Sequence, residues 1–268
     1  MAALSSRIEA RGARWTVRTR CLTRERIAPA VAGFVILAAW EIYVRAFLPD
    51  FVATPVGIIA EIPATVISAE FWQDVFVTLI AILEGVLIGS ATGVLIGVAM
   101  GRVREIDWFL SPYIRALYAL PLVALVPIVI LWVGYQPAAR LVIVIISVFL
   151  PVAVTTADGT RAISKDYLDV GKMFGARTTD VWFGIALPAA TPFIVAGIEL
   201  GFARGITNAI AVEVLASVNG MGMSVFTKSN ELNENGSLVY VLCLAIFAVS
   251  VRSLTIRFRR WLAPWYAS

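Results

Sequence analysis

Histidine is missing from all 268 residues. Its absence removes the commonest general base and the commonest zinc ligand. The two cysteines, Cys21 and Cys243, stand alone, so there is no CxxC pair and no disulfide framework. Charge is scarce: Asp, Glu, Lys and Arg make up 15% of the chain, against roughly a quarter in a soluble domain. No G-x-x-x-x-G-K-[ST] stretch occurs, so the chain carries no phosphate-binding loop of its own. Period-2 alternation in short segments, the mark of a transmembrane β-barrel, is absent too. These gaps disfavour a membrane-embedded hydrolase, for which a Ser/Lys or Asp/Asp pair is the remaining chemistry.

What is present is apolar surface. Hydrophobic residues make up 60% of the sequence, and the mean hydropathy is +0.86. About 20 apolar residues cross a bilayer core as a helix. The fold class is therefore all-α and polytopic, with six expected spans: 27–47, 75–100, 117–133, 139–157, 193–217 and 238–252.

Lys and Arg set the expected orientation. Seven arginines lie in the tail 1–26, from Arg7 to Arg26. Arg102, Arg104 and Arg115 follow span two, and Arg161, Lys165, Lys172 and Arg177 follow span four. Arg252, Arg257, Arg259 and Arg260 close the chain. The opposite side holds Arg45, Arg140 and Lys228. Both termini and the central loop are expected on the cytoplasmic face of an inner membrane. The basic tail reads as a topology signal on anionic lipid, with a cleaved signal peptide as its rival. The net charge of +4 does not point to nucleic acid, because the basic residues gather on one membrane side. The expected division is a tail 1–26, a membrane domain 27–260 with a central loop 158–192, and a C-terminal tail 261–268.

Shorter signals fill in the outline. TPVGIIAEIPATVIS reads as an amphipathic helix at the outer surface, with Thr54 as cap and Pro55 at its first position. Asn219-Gly220 and Asn235-Gly236 read as turns of an outer loop. Gly85, Gly89, Gly93 and Gly97 share one face of span two, which lets another helix approach closely. Pro121 and Pro127 interrupt span three. Such breaks are tolerated where backbone is buried or lines a cavity, so a packed kink and a stretch of translocation path both fit.

The central loop is the most distinctive segment. Tyr167, Leu168, Val170, Gly171 and Phe174 fall near one helical face, and Gly175 suits a left-handed cap. A second short helix is expected from about Thr178, ending at Leu187-Pro188. By spacing alone this is an interfacial helix on lipid or a docking helix for a cytoplasmic partner.

The pattern Tyr167-x-Asp169-x-Gly171-x-x-x-Gly175, followed by Ile185-x-Leu187-Pro188, resembles the EAA loop of binding-protein-dependent ABC importer permeases. TPVGIIAEI, LSPYIRALYALPLVALVPIVILWVG and LPAATPFIVAGIELG resemble the nitrate, sulfonate, taurine and bicarbonate branch of that family. The likeness runs from about Thr54 to Arg260. The family's glutamate is replaced by Asp169 and its alanine by Gly171. The basic residues common in the second half of the loop are lacking over Val181-Trp182-Phe183-Gly184. The resemblance implies a type I importer fold in which two permease copies form the path. Two ATPase subunits dock on the loops and hold the ATP and Mg, and an extracytoplasmic binding protein delivers solute. It implies no cofactor or metal in this chain, and no enzymatic step. Tyr167, Asp169, Gly171, Phe174, Gly175, Ile185, Leu187 and Pro188 are the implied coupling residues.

Charges inside spans are costly and face a pathway or a partner. Glu84, Glu199, Arg204, Asn208 and Glu213 qualify. Arg204 and Asn208 are four apart and share a face of span five. Arg204 with Asn208 can line a path for an anionic or polar solute; equally, Arg204 can pair with Glu84 or Glu213, or snorkel. Glu199 and Glu213 complete the candidate path residues. A self-sufficient carrier or channel is the alternative function. Carriers usually show two related halves, and no clear repeat is visible. A membrane anchor that only assembles other proteins is a third reading.

Overall fold

The computed structural model describes residues 28–29, 31–134, 137–163, 173–177, 180, 184 and 187–262. Helix α1 covers 31–47, the described part of the first expected span. Thr54 caps α2 (Pro55–Ile67): its Oγ1 accepts from the Gly57 amide at 3.0 Å. Ser68 then caps α3 (Ala69–Arg102) through Phe71 N–H at 3.2 Å. Each hydroxyl satisfies an amide that the first helical turn leaves without a partner.

An extended residue, Val103, separates α3 from α4 (Arg104–Ala119). The sequence reading placed a basic loop here, and the structure corrects it to a 16-residue helix. Glu105 and Asp107 in its first turn favour the helix dipole. Leu120 is extended because Pro121 disfavours the helical region for the residue before it. The chain then bends by 97° into a 3-10 turn, Leu122–Leu125, and helix α5, Val126–Val133. The break expected in span three is present, and it is wide. Gly134, at φ +91°, ends α5.

Helix α6 (Pro137–Arg161) is the central element, followed by α7 (Leu187–Leu215), α8 (Met221–Asn230) and α9 (Glu234–Leu262). Among the described residues four helices, α3, α6, α7 and α9, are long and apolar enough to span a membrane, and the bent segment α4–α5 is either a fifth, broken span or a re-entrant loop. Spans five and six are longer than expected at the loop end and the C-terminal end respectively. Asn235-Gly236 is not a free turn but lies in the first turn of α9. There Asn235 Oδ1 accepts from Thr54 N–H at 3.1 Å, tying α9 to α2.

Helix α6 is held between two glycine faces. A Cβ on Gly89 would meet the Ile145 carbonyl at 2.7 Å, on Gly93 Val152 at 2.8 Å, and on Gly97 the Ala153 carbonyl at 2.7 Å. The stripe in span two is therefore a packing surface. On the other side Gly197, Gly201 and Gly205 of α7 lie against Thr155, Val148 and Val144 of α6. This second four-residue repeat was not read from the sequence. Val144, Val148 and Val152 are fully buried between the two faces, beside Ile82, Phe202 and Ile206.

Candidate functional site

The central loop leaves α6 at one end of the bundle, here the loop end. Tyr167, Asp169, Gly171 and Ile185 lie outside the described residues. Phe174 is 88% exposed and Met173 beside it 86%. Gly175 has φ +76°, with no described residue beyond its chain neighbours within 4 Å of where a Cβ would stand; this is the left-handed geometry that L residues with a Cβ adopt only under strain. Leu187 and Pro188 open α7; the short helix expected to end there lies almost wholly outside the described residues.

An ion cluster braces the α6 terminus just before the loop. Arg115 of α4 pairs with Asp158 at 3.1 Å. Arg161, the last residue of α6, pairs with Asp107 of α4 and with Asp158 at 3.0 Å. The two pairings between α4 and α6 were not read from the sequence, since their partners sit 43 and 54 residues apart.

Mid-bundle, Arg204 is half-buried and turns toward the bend of the third span. Its guanidinium carbon lies 4.2 Å from the Tyr118 ring centroid, and Nη1 donates to the Tyr118 carbonyl at 3.4 Å. That carbonyl belongs to the last turn of α4, where helical partners run out. The cation thus stacks on an aromatic face and supports a helix C-terminus. Of the partners considered for Arg204, Glu84 is exposed and Glu213 is engaged by Arg140. Asn208 is buried and donates from Nδ2 to Ser147 Oγ at 2.9 Å, a bond between α7 and α6. Its neighbour Thr207 is exposed. Glu199 faces Arg252 of α9 at 3.6 Å, on the rim of a mainly apolar groove of about 440 Å³ between α7 and α9.

Glu213 lies at the far end of α7 with no exposed surface. Thr78 Oγ1 donates to its Oε1 at 2.7 Å, Arg140 Nη1 at 2.8 Å, and Gly222 N–H to its Oε2 at 2.7 Å. Arg140 also donates to the Asn219 carbonyl at 3.0 Å, and Met221 N–H donates to Thr78 Oγ1 at 2.9 Å. One carboxylate thereby joins α3, α6, α7 and the turn into α8. Arg140, counted above as an outer-loop charge, is buried within α6. Beside this knot a cavity of about 780 Å³ opens at the far end, lined by Glu70, Gln73, Asp74, Asn219, Lys228 and Glu231 among others.

Residues 89–268 match the family described as binding-protein-dependent transport system inner membrane component. The taurine transport system permease protein TauC of Escherichia coli (strain K12) is 24% identical over 204 residues, covering 76% of this chain and 74% of that protein. The putative aliphatic sulfonates transport permease protein SsuC of Bacillus subtilis (strain 168) is 23% identical over 233 residues, 86% of this chain and 84% of that protein. The riboflavin transport system permease protein RibX of Chloroflexus aurantiacus is 25% identical over 201 residues, 75% of each chain. Among solved structures, a chain of the MetNI methionine ABC transporter in inward-facing conformations superposes with TM-score 0.62 at 16% identity, over 72% of this chain and 96% of that one. A chain of an amino acid ABC transporter gives TM-score 0.62 at 15% identity, over 78% and 99%. The fold is that of type I ABC importer permeases.

Proposed function

The chain belongs to the binding-protein-dependent transport system inner membrane component family and is the permease subunit of an ABC importer; from that premise we propose that it moves a small organic anion, of which an alkanesulfonate is the model. Two copies of the chain form the path. A pair of ATPase subunits holds the ATP and Mg and drives the path through the loop 160–188. A binding protein brings the solute to the far end, and this chain performs no catalytic step of its own. Both termini and the loop lie on the cytoplasmic side.

The observation that carries the substrate reading is the pair of sulfonate-type relatives, with coverage of 74% and 84% of their lengths. Arg204 is the residue best suited to it. It is a half-exposed cation in the middle of α7, held by a ring and a carbonyl rather than neutralised by a carboxylate. A guanidinium so placed can give an incoming sulfonate two parallel hydrogen bonds. Thr207, exposed one turn along α7, extends that side, and Glu199 stands in the turn before Arg204 on the rim of the α7–α9 groove; Asn208 and Glu213 are turned into the bundle beside it.

Each coupling residue has a stated part. Phe174 offers an exposed apolar knob. Gly175 supplies the turn behind it, and Tyr167, Asp169 and Gly171 are the partner-facing residues that the resemblance to the EAA loop implies. Leu187 and Pro188 open α7 directly after the loop, and Ile185 is implied with them by the same resemblance.

The test is uptake by proteoliposomes holding the chain, its ATPase and its binding protein, with ATP on the ATPase side. Taurine accumulation that alkanesulfonates compete, and riboflavin does not, is the expected result. Competition by riboflavin alone would move the substrate to the heterocycle class. Accumulation without ATP would move the function to a carrier.

A further inference from the structure

We infer that α4 is an interfacial helix, lying in the plane of the membrane at the loop end with its aromatic stripe seated in the lipid headgroup–acyl boundary. This rests on the chain spanning a membrane, and on four observations of α4 itself.

The first is direction. Leu122 packs with Leu150 of α6, while Val126, Val129 and Ile130 pack with Ala139 and Ile143. The segment after the bend therefore runs antiparallel to α6, along the bundle. Helix α4 stands at 97° to it, across the bundle.

The second is position. Asp107 and Arg115, eight residues and so about 12 Å apart on a helix, both reach the last turn of α6 through Arg161 and Asp158. These pairs hold α4 beside that terminus. One residue, Val103, separates α4 from the end of a 34-residue apolar helix. That terminus is thus where two spans leave the apolar core.

The third is the division of its faces. Ile106, Leu110 and Ile114 pack inward with Met100, Leu122 and Leu150. On the opposite side, at i, i+1, i+4 and i+5, stand Trp108, Phe109, Pro112 and Tyr113, all exposed. Trp108 is 83% exposed, and the rings of Phe109 and Tyr113 lie 6.0 Å apart.

The fourth is chemistry. Trp and Tyr combine an apolar body with a polar tip and collect at membrane interfaces. A helix with one such face and a charged remainder lies flat there. Arg104 at its start and Arg115 beside its core face supply the charged remainder. Seated this way, α4 fixes the height of Arg161, from which the central loop begins.

The experiment is spin-label accessibility in lipid nanodiscs, on the chain assembled with its ATPase. Cys21 and Cys243 are first replaced by Ala, and single labels are placed by Phe109→Cys and Tyr113→Cys. Leu87→Cys, exposed in mid-α3, is the lipid standard; Ser229→Cys, exposed on α8, is the water standard; Leu110→Cys reports the packed face. Labels at 109 and 113 are expected to collide with oxygen and to be shielded from a nickel chelate. Their collision ratio should lie near that at Leu87 and several-fold above that at Ser229. Free access of the chelate at 109 and 113 would overturn the proposal, and so would exclusion of both reagents, which would mean protein covers the stripe. If Leu87 itself behaved like Ser229, the spanning reading would fail rather than the placement of α4.

Discussion

At the residue scale, Arg140 and Glu213 form a desolvated ion pair with every oxygen of the carboxylate engaged. Such a pair contributes little net stability compared with an apolar pair, but losing one partner leaves a buried charge, at a cost of about 3–5 kcal/mol. Glu213→Ala is therefore expected to lower the thermal midpoint of the purified complex strongly. The double change Arg140→Met with Glu213→Leu should recover most of that loss; equal loss in both would show that the knot does not act as a pair. Arg204 makes the opposite case. Its contacts are one ring and one carbonyl at 3.4 Å, so Arg204→Ala should leave assembly intact. Uptake should fall by about tenfold or more, as expected when a charge-assisted hydrogen bond worth about 1.5–3 kcal/mol is lost. Unchanged uptake with unchanged assembly would remove Arg204 from the path. The sequence pointed to Arg204 and Glu213 because intramembrane charge is conspicuous. It could not supply their partners: Tyr118 is 86 residues from Arg204, and Arg140 is 73 residues from Glu213. Arg140 also stood near a span end, where a charge reads as a loop residue.

At the element scale, the packing of α3, α6 and α7 follows from backbone proximity. Gly93→Leu would drive a side chain into Val152, whose Cβ lies 2.8 Å from the position of the first added carbon. Overpacking of this kind costs about 1–3 kcal/mol. Gly33→Leu, with nothing within 4 Å, is the matched control and should be neutral. Thermal unfolding of both variants in the same detergent checks this; equal midpoints would show that the glycine face is not a close contact. The stripe in α3 was legible because four glycines at a spacing of four are rare by chance. The cap of α2 was legible because Thr-Pro at a helix start has a single geometric use. Helix α4 was not. Its inward residues recur at helical spacing, but exposed aromatics and Arg104, Asp107 and Arg115 interrupt the apolar pattern. Helix α8 was hidden in the same way, being short, polar and flanked by positive-φ residues at Ser217, Gly220 and Leu232.

For the whole molecule, the arrangement separates three tasks along one axis. At the loop end, an exposed knob at Phe174 stands on a glycine turn, and α6 is braced against α4 by ion pairs. In the middle, two glycine faces grip α6 and Arg204 holds the bend of the third span. At the far end, the Arg140–Glu213 knot locks three helices beside a polar cavity of about 780 Å³. A displacement applied at the loop would travel through α6 and α7, which enter and leave it. The direct check is affinity purification of the tagged chain from its native membranes with mass spectrometry, beside a Gly175→Pro variant. A Cβ on Gly175 would meet no described residue within 4 Å beyond its chain neighbours, and Pro cannot adopt φ +76°, so the variant is expected to alter the loop backbone and leave the bundle in place. The account predicts that a P-loop ATPase comes with the parent chain and is lost from the variant. A preparation that transports solute with no ATPase attached would contradict it.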